Sequence, residues 1–120
     1  SVPRRSLSRR LMDHRLHDQR SLAMHRLIAE KLAHDPSLLD VALATIARWR
    51  ATTSANSLPY LDAWQAIIEQ GLEATIAAAT DPSERGIQMR QAAPFTGILS
   101  QEERAAFMAA WHREHGVPGP

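Results

Sequence analysis

Apolar residues recur in this chain at intervals of three and four, and that spacing constrains its fold more than any other feature. Side chains so spaced share one face of a helix, because an α-helix turns once every 3.6 residues. The period of two that marks a strand is absent, and aromatic residues make up only 5% of the chain. The sequence therefore predicts an all-α fold, a compact bundle of five or six helices with no sheet. The clearest stripe consists of Leu61, Trp64, Ile68, Leu72, Thr75 and Ala79.

Capping residues and prolines predict where the helices begin. Asp35 precedes Pro36, an N-cap followed by proline at the first helical position, which predicts a helix over 36–50. Ser100 and Glu103 have the spacing of a capping box. The N-terminal segment from about Leu7 to Leu32 is predicted to form one helix or two. A helix is predicted from Ser57 and Pro59 to Ala79, and Gly71 is expected to bend it rather than divide it. A short helix begins at Asp81, Pro82 and Glu84 and ends near Ala92, and a last helix runs from Ser100 to about His115.

The length and composition are those of one small domain. A chain of 120 residues with 44% hydrophobic residues is sufficient for one buried core, and we expect a single helical domain over 6–115. We expect a flexible basic N-terminus over 1–5 and a flexible tail over 116–120. The absence of cysteine excludes thiolate chemistry and fits a reducing compartment, so we expect a cytoplasmic protein. The longest apolar stretch, Val41 to Ala47, predicts no membrane segment.

Positive charge is concentrated at the front of the chain. Residues 1–26 hold seven arginines against two aspartates, although the net charge of the whole chain is only +1. Such a segment is suited to phosphate backbones or an acidic partner, and a solvated helix face is the alternative interpretation. Any nucleic-acid binding would be non-specific, because no recognition-helix or RNA-binding aromatic motif accompanies the charge. The residues expected to contact nucleic acid are Arg4, Arg5, Arg9 and Arg10.

The motifs of common enzymes and cofactor sites are missing from the sequence. It has no glycine-rich phosphate loop after a strand, no serine in a nucleophile elbow and no paired carboxylates within an apolar stretch. His14 with His17 and His112 with His115 are spaced i, i+3, but no acidic residue is placed to complete a metal shell. We therefore predict no metal and no cofactor.

One short spacing suggests an enzyme all the same. Arg20 and His25 are separated by four residues, which resembles the motif of the HEPN ribonucleases, helical toxins in which those two residues cut RNA. On a regular helix an offset of five residues turns the side chains about 140° apart, so the pair would face one substrate only if the helix broke between them. A small ribonuclease centred on this pair is one alternative function.

The segment from Ser83 to Arg104 is the candidate partner surface. Two capped helices meet there at a connector containing Pro94 and Gly97, which would hold nearby side chains in a fixed arrangement. The guanidinium groups of arginines in this segment can bind a carboxylate or phosphate of a partner, or pair internally with Glu84, Glu102 or Glu103. An aromatic in the connector can dock a partner or plug the core. The predicted partner-binding residues are Arg85, Arg90, Gln91 and Phe95.

Tryptophan is expected to anchor the core. Trp49, Trp64 and Trp111 fall one per predicted helix near apolar positions. Large aromatic side chains there bury the most apolar surface, so we predict that the three faces converge on one core.

Two stretches carry a resemblance to a known family. RSLAMHRLIAEKL (Arg20 to Leu32) and SERGIQMRQAAPFTGILSQEER (Ser83 to Arg104), with Trp49, Tyr60 and Trp64 between them, resemble a family of short, all-helical bacterial proteins of unestablished function. Some members are encoded near toxin–antitoxin or mobile-element genes. The resemblance implies a helical fold and a bacterial origin, and it carries over no catalytic residue. The serine common in that family before the Pro-Phe pair is Ala93 here.

These patterns favour a non-enzymatic helical interaction module, regulatory or antitoxin-like, that holds a macromolecular partner. A protein is the expected partner, and nucleic acid is the alternative through the basic N-terminus.

Overall fold

Six α-helices make up the computed structural model, which describes residues 4–116 of the chain and side chains from His14 onward. No strand occurs within that range, so the predicted all-α bundle is confirmed. The helices are α1 (Arg4–His34), α2 (Leu39–Arg50), α3 (Leu58–Glu69), α4 (Leu72–Ala79), α5 (Glu84–Gln91) and α6 (Gln101–His115), and a short 3₁₀ helix (Pro36–Leu38) precedes α2.

The long helix α1 organises the bundle. Its 31 residues run without a break, so the N-terminal segment is one helix rather than two. It packs against α4 and α5, while α2 packs on α3 and α3 on α4. Because α1 begins at Arg4, it enters the segment expected to be flexible. The rest of that segment, and the tail beyond Gly116, lie outside the described residues.

Gly71 divides the third predicted helix, which corrects the expectation of a single kinked helix. Its φ of +116° ends α3, and α4 begins one residue later. A side chain is strained in that region of backbone space, whereas glycine adopts it freely. The apolar stripe keeps its phase across the break because Leu61, Ile68 and Ala79 all bury against the same core.

Two N-caps behave as predicted and two do not. The Asp35 side chain accepts from the Ser37 amide, although the turn that follows is 3₁₀. Both halves of the capping box at Ser100 are present, which confirms the start of α6. Ser57 makes no side-chain cap bond. The cap of α5 is Ser83 rather than Asp81, because Asp81 instead accepts from the amide of Ser83.

Trp64 lies at the centre of the core. Its side chain is fully buried, its Nε1–H donates to the Met89 carbonyl at 2.8 Å, and its ring packs edge-on against Phe95 with centroids 5.1 Å apart. Trp49 packs at the edge of the same cluster. Trp111 is buried outside that cluster and stacks on His115 of its own helix. The prediction that all three tryptophans converge on one core is therefore wrong for Trp111.

A lysine joins α6 to α1. The Lys31 ammonium donates to the Ile98 carbonyl at 2.7 Å and to Glu103 Oε1 at 2.5 Å. Glu103 also accepts from the Ser100 amide in the capping box. These hydrogen bonds to the ionised carboxylate lower the pKa of Glu103 to about 2. The start of α6 is thereby fixed on α1.

Candidate functional site

A groove of about 480 Å³ separates the face of α1 from α5. Residues spaced three and four apart line its α1 side, because such positions share one helix face. We call it the α1/α5 groove. It is lined by His14, His17, Asp18, Arg20, Ser21 and Met24 from α1 and by Ile87, Arg90 and Gln91 from α5.

Arg20 and His17 hold each other in place at this groove. The Arg20 guanidinium donates to His17 Nδ1 at 2.8 Å, a contact made across one helical turn. The imidazole therefore accepts at Nδ1 and keeps its proton at Nε2. Both side chains retain solvent access, so they can meet an anionic group that enters the groove.

Arg90 is buried between the helices with only 6% of its surface exposed. Its Nη1 donates to the carbonyls of Asp81 at 2.5 Å and Ala79 at 3.3 Å, which closes the carboxyl end of α4. Burial lowers the pKa of Arg90, and the charges of Asp81 and Asp18 partly oppose that shift. Its Nε has no acceptor among the residues that the structure describes.

A second, smaller cavity of about 260 Å³ lies on the other side of Arg90, and we call it the His25 cavity. His25 donates from Nδ1 to the Ser21 carbonyl at 2.7 Å, and its ring meets Phe95 edge-on. Burial lowers the pKa of His25; the Ser21 hydrogen bond opposes that effect and the nearby charge of Arg90 adds to it. The imidazole is therefore neutral at pH 7, with its lone pair at Nε2. The cavity is lined by Met24, His25, Ile28, Trp49, Arg90, Gln91, Ala93, Phe95, Thr96 and Arg104.

The structure does not bring Arg20 and His25 to one cavity. Arg20 lines the α1/α5 groove and His25 the smaller cavity. They lie on the uninterrupted α1, where an offset of five residues turns side chains about 140° apart. Met24, Arg90 and Gln91 line both spaces.

The residues predicted to bind a partner from the Ser83 to Arg104 segment divide into exposed and buried pairs. Arg85 and Gln91 are exposed, with the Arg85 guanidinium 5.9 Å from the centre of the Tyr60 ring. Phe95 is only 2% exposed, so the expectation of an exposed docking aromatic is wrong and its role as a core plug is the one observed.

Internal pairing of the arginines takes a form that the sequence did not indicate. Arg90 pairs with backbone carbonyls at the end of α4 rather than with a glutamate. The short α5 follows a tight turn, which brings Arg90 back onto the end of the preceding helix.

Two other predicted groups can be placed only in part. Arg4, Arg5, Arg9 and Arg10 lie on the first turns of α1, and their side chains are outside the described ones. His14 and His17 share the groove, but no cluster of three or more potential metal ligands exists among the described residues.

Sequence reasoning missed the α1/α5 groove itself. The signal available was the spacing of His14, His17, Asp18 and Ser21, which share a helix face. Nothing in the sequence shows that α5 lies opposite that face.

Comparison with protein-family models, curated proteins and solved structures finds no match for this chain. The resemblance noted in the sequence therefore adds nothing to the argument about the site. Within residues 4–116, no helix combines the length and the apolar character that crossing a membrane requires.

Proposed function

We propose that this protein is a non-enzymatic helical interaction module that binds an acidic segment of a partner protein in the α1/α5 groove. The observation that supports this most directly is the convergence of His17, Arg20 and Gln91 on one accessible groove of about 480 Å³. These side chains supply hydrogen-bond donors on both walls, and Arg20 is already oriented by its contact with His17. A preoriented donor loses less side-chain entropy when a ligand binds.

The rest of the lining favours a peptide over a nucleic-acid backbone. Met24 and Ile87 give the groove apolar surface, and Asp18 places a carboxylate within it. A phosphate backbone offers no apolar group to Met24 and Ile87, whereas a peptide can place an acidic side chain on Arg20 and an apolar one on Met24.

The charge distribution of α1 supports the same choice of ligand. Seven arginines precede residue 27, so an acidic partner is attracted along the whole first half of the helix. Attraction of this kind raises the association rate and weakens with salt.

Binding of a labelled peptide that alternates glutamate and leucine, measured by fluorescence anisotropy, tests the proposal. The double variant His17→Ala/Arg20→Ala should weaken binding by roughly tenfold, since it removes the charged donor of one wall and the imidazole that orients it. The matched control is His34→Ala/Arg48→Ala, which also removes one histidine and one arginine, both exposed and neither lining the groove. The control should bind like the unaltered protein.

Single-stranded RNA is the competing probe in the same assay. Tighter binding of RNA than of the peptide, with the same sensitivity to Arg20, would replace the proposal with nucleic-acid binding. Equal affinity of both double variants for the peptide would show that the groove is not the binding surface.

A further inference from the structure

His25 and Arg90 are two buried polar groups that meet at the His25 cavity and take no part in the proposed peptide groove as donors. His25 is 8% exposed and Arg90 6% exposed. They belong to different helices, α1 and α5, so the packing of the bundle holds both at the cavity.

Among the described side chains, no carboxylate forms an ion pair with Arg90, although the charges of Asp81 and Asp18 act on it from a greater distance. The ion pairs formed among the described residues join Lys31 to Glu103 and Arg50 to Asp62. Arg90 instead donates to two carbonyls, and its Nε has no acceptor within the described part of the chain. A guanidinium stays protonated at any pH that a protein meets.

A buried cation without a paired anion is energetically unfavourable, and proteins ordinarily compensate it. An anion held in the adjacent cavity would supply that compensation. The residues that line the cavity include Gln91, Thr96 and Arg104, whose side chains carry further hydrogen-bond donors.

We propose that the His25 cavity binds a phosphoryl group, as free phosphate or as the head of a small phosphomonoester. The donors come from separate elements: Arg90 and Gln91 from α5, Thr96 from the connector and Arg104 from α6. Donors arriving from several directions suit the oxygens of a tetrahedral anion better than the two coplanar oxygens of a carboxylate.

The volume of the cavity limits what else the ligand carries. At about 260 Å³ it lies just below the range of roughly 300–1,000 Å³ that is usual for drug-sized ligands. Phe95 and Trp49 close part of its wall with apolar surface. The site therefore takes a phosphoryl group with a few additional atoms.

His25 gives the site a distinctive chemical readout. Its Nδ1 is committed to the Ser21 carbonyl, so Nε2 can accept a proton or a hydrogen bond from the P–OH of hydrogen phosphate. Arg90 and Arg104 are the cations beside it, and Asp18 acts on Arg90 from the other side. A bound dianion would oppose the effect of Arg90 and raise the pKa of His25.

Titration of the intact protein with inorganic phosphate, followed by NMR at the His25 ring and the Arg90 Nε–H, tests the proposal. Sodium chloride at the same ionic strength is the reference. We expect saturable shifts at both groups, a higher His25 pKa in phosphate, and roughly tenfold weaker binding in Arg104→Gln, an exposed position where folding is not at risk. The matched control Arg113→Gln, exposed on the same helix but outside the cavity, should bind phosphate like the unaltered protein.

Two results would overturn the proposal. One is the absence of a saturable shift in phosphate beyond that in chloride. The other is an equal phosphate affinity for Arg104→Gln and Arg113→Gln. A parallel titration with acetate tests the class of anion, and acetate binding as tightly as phosphate would contradict the phosphoryl assignment. Because His17→Ala/Arg20→Ala leaves the lining of this cavity intact, that variant should bind phosphate normally even if the peptide proposal fails.

Discussion

The α2–α3 side and the α1–α5 side of the bundle pack on one core, but only the α1–α5 side buries a charged side chain. Between α2 and α3 the buried residues are uncharged, and the polar one among them, Thr45, donates to the Val41 carbonyl of its own helix. The ion pair of Arg50 with Asp62 lies at the exposed edge. Between α1 and α5 the packing buries His25 and Arg90 and leaves cavities beside them, among which are the α1/α5 groove and the His25 cavity.

The difference separates what stabilises the fold from what the fold can bind. Burial of apolar surface is the main favourable contribution to folding, whereas a buried polar group costs free energy unless it is well bonded. The α1–α5 side keeps Arg90 with one nitrogen lacking a partner among the described residues. We therefore expect stability to depend most on the apolar side and ligand binding to depend on the polar side.

The largest expected effect comes from the residue that joins the two sides. Trp64 of α3 fills the core and donates to the Met89 carbonyl of α5, so Trp64→Ala creates a cavity and removes one donor to that carbonyl, which still accepts from the Ala92 amide. We expect a loss of about 3–5 kcal/mol in the free energy of unfolding, measured by urea denaturation. Trp64→Phe is the control that keeps most of the volume, and it should lose less. If the two variants lost the same amount, the hydrogen bond rather than the packing would be the link.

Arg90→Met should have the next largest effect. Methionine keeps much of the side-chain volume but leaves the carbonyls of Ala79 and Asp81 without a donor at the end of α4. The expected loss is about 1–3 kcal/mol by the same measurement. Arg85→Met, an exposed position on the same helix, should change stability by less than about 0.5 kcal/mol. If Arg90→Met were as stable as the unaltered protein, the free-energy cost of burying the charge would equal the stabilisation that its hydrogen bonds contribute.

The helical period of the apolar residues and the N-caps of the helices could be predicted because they depend on interactions between residues close in sequence. The capping box at Ser100 needs only residues within one turn, and it occurs as expected. The break at Gly71 could not be predicted from the pattern, because two helices that pack on one core keep the same apolar phase as one kinked helix. Glycine permits either outcome, and the tertiary packing decides between them.

The candidate site was less accessible to sequence reasoning because its parts meet only in three dimensions. Arg90 was expected at the surface, since arginine is usually exposed, but the turn before α5 directs it onto the end of α4. Phe95 was expected either to dock a partner or to plug the core, and its edge-on contacts with Trp64 and His25 place it in the core. The spacing of His14 and His17 indicated a shared face correctly, but not what lies across from it.

A pH titration distinguishes the two sides by a smaller effect. Burial depresses the pKa of His25 below its ordinary 6.5, so the unfolded chain binds a proton at a higher pH than the folded one. The contribution of the neutral ring to stability is complete above pH 6.5 and is lost as the pH falls from there through the lower folded pKa. Urea denaturation between pH 7 and pH 5 should show this decline in the unaltered protein and in His14→Gln, but not in His25→Gln.

If His25→Gln still lost stability between pH 7 and pH 5, the decline would have a different origin. A titrating group other than His25 would then be responsible, and the buried ring would not distinguish the α1–α5 side. The control at His14 is suitable because that side chain is exposed and on the same helix.

The smallest expected effect tests whether charge on the apolar side is as unimportant as its exposure suggests. Arg50 Nη1 lies 2.7 Å from Asp62 Oδ1, and its Nη2 donates to Gln65 at 2.8 Å. Asp62 is mostly exposed, so water and salt screen the pair, and holding two long side chains together costs entropy. A double-mutant cycle of Arg50→Ala and Asp62→Ala isolates the pair from the separate bond to Gln65, because that bond is lost equally with and without Asp62. The coupling energy should be below about 1 kcal/mol and should fall further in high salt. A coupling as large as the loss in Arg90→Met would remove the distinction between the two sides, since charge would then stabilise both.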